Sequence, residues 1–142
     1  MTMSINGKAA QKKALVVGIS DYTSLQKLDF CRNNGTEVYE VLSSLGFEIS
    51  ENKLVGEAKS EKVRDTIYDF FVNRNGHDDT LFFYYSGYVV YGDIYLASSD
   101  IDFDNPYRGG FVELTKVIQK CISTRVVIMR LLLSRFSYGN YE

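Results

Sequence analysis

The chain has 142 residues and a formal net charge of −2, with 45% hydrophobic and 24% charged residues, a composition typical of one globular domain. A slightly negative chain does not provide the basic surface that nucleic-acid binding requires. No apolar run approaches the ~18 residues of a membrane span. Two cysteines, Cys31 and Cys121, and one histidine, His77, are too few for a disulfide scaffold or a structural zinc site. We therefore expect a cytoplasmic protein without metal or cofactor.

The chain begins with a polar leader at residues 1–11, which has no hydrophobic segment of the secretory kind, so we place the domain at residues 12–142. The β-branched run Ala14–Ile19 predicts a strand buried on both faces. Apolar residues then recur at helical spacing up to Leu45. Asn33 or Asn34 is the predicted N-cap of this helix, and Gly46 its C-cap.

A short strand is predicted at residues 47–54, and Ser60 is the predicted N-cap of a second helix that reaches Phe71. Thr80–Tyr85 predicts a second buried strand, and residues 92–96 alternate as in a hairpin. A long loop at 99–110 leads to an amphipathic helix at 113–121, and a third apolar strand runs from Arg125 into Leu133.

Along the chain, predicted helices alternate with predicted apolar strands. This order predicts an α/β fold, a three-layer sandwich in which helices flank a mainly parallel sheet. In such sheets, functional groups gather at the carboxyl ends of the strands. These ends are predicted at residues 20–22, 86–88 and 130–134.

These strand ends resemble motifs of the caspase and metacaspase superfamily of cysteine peptidases. Lys13–Tyr22 is similar to the family's first strand with its Gly-Ile-x-x-Tyr turn, and Asp79–Gly87 to the strand that ends in Ser-Gly-His-Gly. Residues 92–100 are similar to the following Gly-x-x-Tyr-Leu-x-x-x-Asp, and 124–129 to the strand that enters Asp-Cys-Cys. The resemblance implies the large-subunit domain, with the C-terminal small-subunit strands lacking.

The resemblance also assigns site residues by position. The catalytic histidine falls at Tyr88 and the nucleophilic cysteine at Leu132, while Ser86 and Arg130 fall at specificity-pocket positions. Asp21 and Asp100 are predicted to line the cleft beside these positions.

A phenol with an ordinary pKa near 10 is a poor base at neutral pH, and a leucine side chain has no nucleophilic atom. The first hypothesis is therefore an inactive pseudo-peptidase with a binding or regulatory role. The alternatives are an active cysteine endopeptidase that uses other residues and a non-peptidase domain that binds a small ligand. Arg130-Leu-Leu132 is also what codons for Asp-Cys-Cys yield when read one base out of register, so a frameshift is a second explanation of the change.

The apolar strand 125–133 is expected to form an exposed sheet edge, because the chain continues for only a few residues. Exposed apolar edges pair with other chains. We expect self-association, or pairing with a related caspase-like protein, through this edge, and no nucleic-acid or membrane partner.

Overall fold

Seven strands form the middle layer of the computed structural model, which describes residues 10–49, 54–73, 75–90, 95–102 and 110–133. The strands are β1 (Lys12–Ile19), β2 (Glu48–Ile49), β3 (Leu54–Gly56), β4 (Thr80–Val90), β5 (Tyr95–Ala97), β6 (Phe111–Glu113) and β7 (Arg125–Leu133). The helices are α1 (Asp29–Ser44), α2 (Ser60–Val72) and α3 (Leu114–Ile118).

The central strands run parallel, as the sequence predicted. β1 pairs with β2 and β3 on one side and with β4 on the other, and β4 also pairs with β7. Thr80 is opposite Lys12 of β1 and Arg125 of β7, so the starts of all three strands are aligned. β5 and β6 extend the carboxyl end of β4 in antiparallel pairing. The fold is an α/β sandwich in which helices flank a mainly parallel sheet, as predicted.

Both faces of the sheet are covered by apolar packing. One face carries Leu15, Val17 and Phe83 and packs against α2 and α3. The opposite face carries Ala14, Val16 and Tyr84 and packs against α1. β1 is buried from Ala14 onward, which explains why its sequence is a continuous apolar run rather than an alternating one.

A glycine contact brings α1 directly onto β1. A Cβ on Gly18 would lie 2.5 Å from the carbonyl oxygen of Cys31, and one on Gly35 would lie 3.5 Å from the Cα of Gly18. A side chain at Gly18 would therefore force the helix away from the sheet. The glycine of the first-strand motif serves close packing of helix on strand.

The predicted helix starts were wrong at both N-caps. α1 begins one turn before Asn33 and Asn34, because the N–H of Leu28 donates to the carbonyl of Ser20 (2.8 Å) and sets the start of the helix there. Ser60 is the first helical residue of α2 rather than its cap. The expected strand at 47–54 forms two short strands in the described residues, and β6 was not predicted.

Candidate functional site

The carboxyl ends of β1, β4 and β7 meet at one edge of the sheet. Backbone pairing places Gly87 opposite Leu132 and Tyr88 opposite Leu133. The two positions that the resemblance assigns to the catalytic pair therefore lie on adjacent strands at the same edge. The side chains of Arg130 and Leu132 lie outside the described part of the molecule, so the site is built from β1, β4 and the loops around them.

Tyr88 fills the middle of this edge with a fully buried ring. Its hydroxyl donates a hydrogen bond to the carbonyl oxygen of Gln26 (3.0 Å), which belongs to the loop between β1 and α1. Its backbone N–H donates to the hydroxyl of Tyr22 (3.1 Å). Both ends of the residue are thus attached to the β1–α1 connection.

Two further tyrosines complete a buried network with Tyr88. Tyr22 donates to the carbonyl of Ala97 (3.3 Å), and Tyr85 donates to the carbonyl of Tyr88 (2.5 Å) and lies 3.0 Å from that of Ala97. Burial raises the pKa of both the Tyr22 and the Tyr85 phenols above the ordinary value. The phenols remain protonated and act as hydrogen-bond donors.

Gly87 makes room for these phenols. A Cβ at this position would lie 2.5 Å from the hydroxyl of Tyr22 and 2.6 Å from that of Tyr85. The Ser-Gly pair before Tyr88, which contributed to the resemblance, therefore has a packing role in this chain. We call Tyr22, Tyr85 and Tyr88 the tyrosine network.

Ser86 and Cys31 lie beside the tyrosine network. The Ser86 hydroxyl donates to the carbonyl of Cys31 (3.3 Å), and both residues are fully buried. Burial raises the pKa of the Cys31 thiol, and a hydrogen bond with Ser86 lowers it by less. The thiol is held in its neutral, unreactive form. The Ser86 hydroxyl thus links β4 to the first turn of α1. None of these contacts is to a side chain that could act as a general base for Ser86.

Asp21 lies at the rim of the edge in a cluster of charges. Its carboxylate is 3.3 Å from the guanidinium of Arg32 and 3.8 Å from the ammonium of Lys27, and it accepts a hydrogen bond from the Ser20 hydroxyl. Lys27 also lies 3.6 Å from Asp29. Asp21 is compensated by two cations, so it presents little free negative charge to the edge.

Asp100 lies at the N-terminus of α2. Its carboxylate accepts hydrogen bonds from the backbone N–H (2.9 Å) and the hydroxyl (3.1 Å) of Ser60. A carboxylate in this place satisfies an unpaired amide and interacts favourably with the helix dipole. Asp100 supplies from another loop the cap that Ser60 was expected to provide.

His77 and Cys121 lie at the opposite, amino-terminal edge of the sheet. Thr124 donates its N–H to the carbonyl of His77 (3.3 Å), so the loops before β4 and β7 pack together there. Cys121 contacts the carbonyl of Ser123 in the same region. These two residues are separated from the tyrosine network by the length of the strands.

Sequence reasoning located the edge and three of its residues, Tyr22, Ser86 and Tyr88. It missed Tyr85 and the carbonyl groups of Gln26 and Ala97, which bind the network together. Tyr85 carries a signal in the sequence, because it belongs to the apolar run that predicts a buried strand at β4. The two carbonyl groups carry none, since any residue could supply them.

Among the described residues, no three His, Cys, Asp or Glu side chains lie together in an arrangement that could hold a metal ion. Within the same ranges no helix is long and apolar enough to cross a membrane. The family model of the caspase domain matches residues 11–128, more than four fifths of the chain. No curated protein matches the chain.

Proposed function

The chain belongs to the caspase domain family, and we propose that it is a catalytically inactive member, a pseudo-peptidase with a binding or regulatory role. The observation that supports this proposal is the burial of Tyr88. At the position that the resemblance assigns to the catalytic histidine, a phenol is fully buried, and its hydroxyl is already bound to the carbonyl of Gln26.

The chemistry of the family requires a thiolate and an imidazole at adjacent strand ends. Leu132 is a hydrocarbon at the first position and Tyr88 a phenol at the second. Arg130, at the specificity-pocket position, would repel basic substrate side chains. Three parts of one mechanism are replaced, so hydrolysis by the family route has neither nucleophile nor base.

Neither cysteine of the chain substitutes for the missing thiol in this proposal. Cys31 is near the edge, but it is buried and its pKa is raised. Cys121 is at the opposite edge, beside the loop of His77. The described contacts of both thiols are structural.

Incubation of the purified chain with fluorogenic peptides that carry Arg, Lys or Asp at the cleavage position tests the proposal. We expect no release of fluorophore above the rate without protein. A parallel sample is treated with an alkylating agent, and mass spectrometry locates the modified cysteine. Turnover that disappears when Cys31 or Cys121 is alkylated would establish the chain as an unconventional cysteine peptidase and refute inactivity.

For the binding role, we propose that β7 pairs with a second copy of the chain or with a related caspase-like protein. In the described sheet β7 pairs with β4 alone, and its sequence from Val126 to Met129 is entirely apolar. Light scattering over a range of concentrations tests this: a mass that rises toward the dimer is expected, and a constant monomer mass at high concentration contradicts pairing between copies. Mixing with a related active peptidase then tests the second partner.

We propose the cytoplasm as the site of action, since both Cys31 and Cys121 are free thiols. Fractionation of cells that express the chain, with thiol labelling of the recovered protein, checks this location.

A further inference from the structure

The chain contains three Asn-Gly dipeptides, at residues 6–7, 34–35 and 75–76. At this dipeptide the backbone nitrogen of the second residue readily attacks the side-chain amide of the first, because glycine has no Cβ to hinder the approach. The first dipeptide lies outside the described residues. Asn34 and Gly35 lie within α1, whereas Asn75 and Gly76 belong to the connection between α2 and β4.

The side chain of Asn75 caps the last turn of α2. Its amide nitrogen donates a hydrogen bond to the carbonyl oxygen of Phe70. Carbonyl groups in the last turn of a helix have no partner within the helix, and α2 has no basic side chain in that turn. Asn75 therefore supplies, from the following loop, a donor that the helix itself lacks.

The side-chain oxygen of Asn75 faces a cation. The ammonium of Lys13 donates to this oxygen (3.4 Å) and lies 3.9 Å from the carboxylate of Asp79. The side chains of Lys13 and Asp79 are only 16% and 11% exposed, so solvent screens their charges weakly. A positive charge at this oxygen stabilises the negative charge that develops there when a nucleophile adds to the amide carbon.

The backbone nitrogen of Gly76 is hydrogen-bonded to a carboxylate. Its N–H donates to Oδ2 of Asp79 (2.9 Å), and the N–H of Asp79 donates to the carbonyl of Gly76 (3.2 Å). The other oxygen of Asp79 accepts the N–H of Gln11 (3.0 Å), which fixes the orientation of the carboxylate. A carboxylate in this place can accept the proton of Gly76 when the nitrogen acts as a nucleophile.

We propose that Asn75 and Gly76 form a site of self-modification, at which Asn75 loses ammonia and becomes aspartate or isoaspartate. The nitrogen of Gly76 attacks Cγ of Asn75 and gives its proton to Asp79. Asp79 returns this proton to Nδ2 as the Cγ–Nδ2 bond breaks and ammonia leaves. Water then opens the resulting cyclic imide at either of its carbonyl groups. The nucleophile and the carbonyl oxygen of this reaction are the groups that Asp79 and Lys13 bind.

The modified residue cannot cap α2. A carboxylate has no hydrogen to donate to the carbonyl of Phe70, and it brings negative charge to the end of the helix at which the dipole is also negative. In isoaspartate the main chain runs through the former side chain, so Gly76 is displaced relative to Asp79. The modification thus releases the last turn of α2, at the edge of the sheet opposite the tyrosine network.

Asn34 and Gly35 are a matched control within the same chain. Gly35 is buried inside α1 and packs against Gly18 of β1. Attack by its nitrogen would break a hydrogen bond of the helix and pull Gly35 out of this contact. Timed incubation of the full chain at neutral pH, followed by digestion and mass spectrometry, measures both sites. We expect Asn75 to be modified at least about tenfold faster than Asn34.

Asp79→Asn removes the proton acceptor and should slow the modification of Asn75 by about tenfold or more. Lys13→Met removes the cation and should slow it as well, whereas Asp78→Asn, at the neighbouring carboxylate, should leave the rate unchanged. A loop that was merely loosened would react faster, so the direction of the change separates catalysis from flexibility. In a synthetic peptide of residues 73–79, Asp79→Asn should have no effect, because the peptide does not hold this carboxylate in place.

Asn75→Asp reproduces one product and tests the release of α2. Hydrogen exchange at the amide of Asn73, which donates to the carbonyl of Asp69, should become faster, while the first turn of α2 stays protected. The modification site is refuted if Asn75 remains intact, if Asn34 is modified as fast, or if Asp79→Asn fails to slow the reaction in a variant that keeps the native circular dichroism spectrum. Unchanged exchange in the Asn75→Asp variant would refute the release of the helix end.

Discussion

The rings of Tyr22 and Tyr88 meet edge to face, with centroids 4.8 Å apart and planes at 72°. Tyr22 follows β1 and Tyr88 lies in β4, so this contact joins the carboxyl ends of two parallel strands. An aromatic pair of this geometry stabilises beyond its buried area by about 0.5–1.5 kcal/mol. The edge at which the family places its chemistry is, in this chain, part of the hydrophobic core.

Substitutions of Tyr88 test how far the tyrosine network stabilises the domain. Tyr88→Phe removes the hydrogen bond to Gln26 and should lower the free energy of unfolding by about 0.5–1.5 kcal/mol. Tyr88→Ala should cost about 3–5 kcal/mol, since it also leaves a cavity. Urea denaturation measures both, with Tyr68→Phe, 38% exposed, as control. Equal stability of Tyr88→Phe and the unaltered chain would show that the bond to Gln26 contributes nothing.

Gly18→Ala should destabilise the domain by about 1–3 kcal/mol, because the new methyl group meets backbone atoms of α1 rather than a movable side chain. Gly76→Ala is the matched control: its Cβ would have its nearest neighbour 3.8 Å away, at a carboxylate oxygen of Asp79. Thermal unfolding of the two variants should separate them clearly. If both melt alike, the close packing of α1 on β1 has been overestimated.

Stability should fall at alkaline pH. Burial raises the pKa of Tyr22, Tyr85 and Cys31 in the folded chain, while the unfolded chain keeps ordinary values near 8.5 for Cys and about 10 for Tyr. The unfolded state thus releases protons first, so full stability holds below about pH 8 and declines as pH rises further. Urea unfolding from about pH 7 to pH 11 measures the slope.

The variant Tyr22→Phe should be less stable at neutral pH and should show a shallower alkaline decline, because one raised phenol is gone. A decline as steep as that of the unaltered chain would mean that other groups cause it.

Asp100→Ala should destabilise the domain by about 0.5–2 kcal/mol through loss of the cap on α2. Hydrogen exchange should show the effect concentrated in the first turn of α2, near Ser60. Glu40→Ala, an exposed position on α1, serves as control. Uniform exchange across α2 in the Asp100 variant would argue against a capping role.

Restoration of the family residues tests the assignment of positions. The triple variant Tyr88→His, Leu132→Cys and Arg130→Asp should cleave peptides after Arg, about tenfold or more above the unaltered chain. The variant with Leu132→Ala in place of Leu132→Cys should remain inactive. Cleavage by both would place the nucleophile elsewhere.

The sequence predicted the parts of the fold that depend on long apolar runs. β1, β4 and β7 were identified because each is a continuous apolar run, and their parallel order followed from the helices between them. β6 was missed because it has three residues and gains its place by pairing with β5. The start of α1 was missed because a backbone contact between Leu28 and Ser20 sets it, with no side-chain cap.

The same distinction applies to the site. The meeting of Tyr88 and Leu132 at one edge follows from the alignment of parallel strands, so sequence order was enough to predict it. The tyrosine network depends on which hydroxyl reaches which carbonyl across several loops. Such contacts are set by the packed structure, and no local pattern near Tyr22 or Tyr85 encodes them.

The long sequence separation between paired strands has a consequence for synthesis. Lys12 pairs with Thr80, and Thr80 with Arg125, so the central sheet cannot close until almost the entire described chain has left the ribosome. Distant pairing slows folding, and emerging apolar strands are prone to aggregate before it is complete. The nascent chain should therefore depend on chaperones during translation, with the edge of β1 that pairs with β4 open until β4 has emerged.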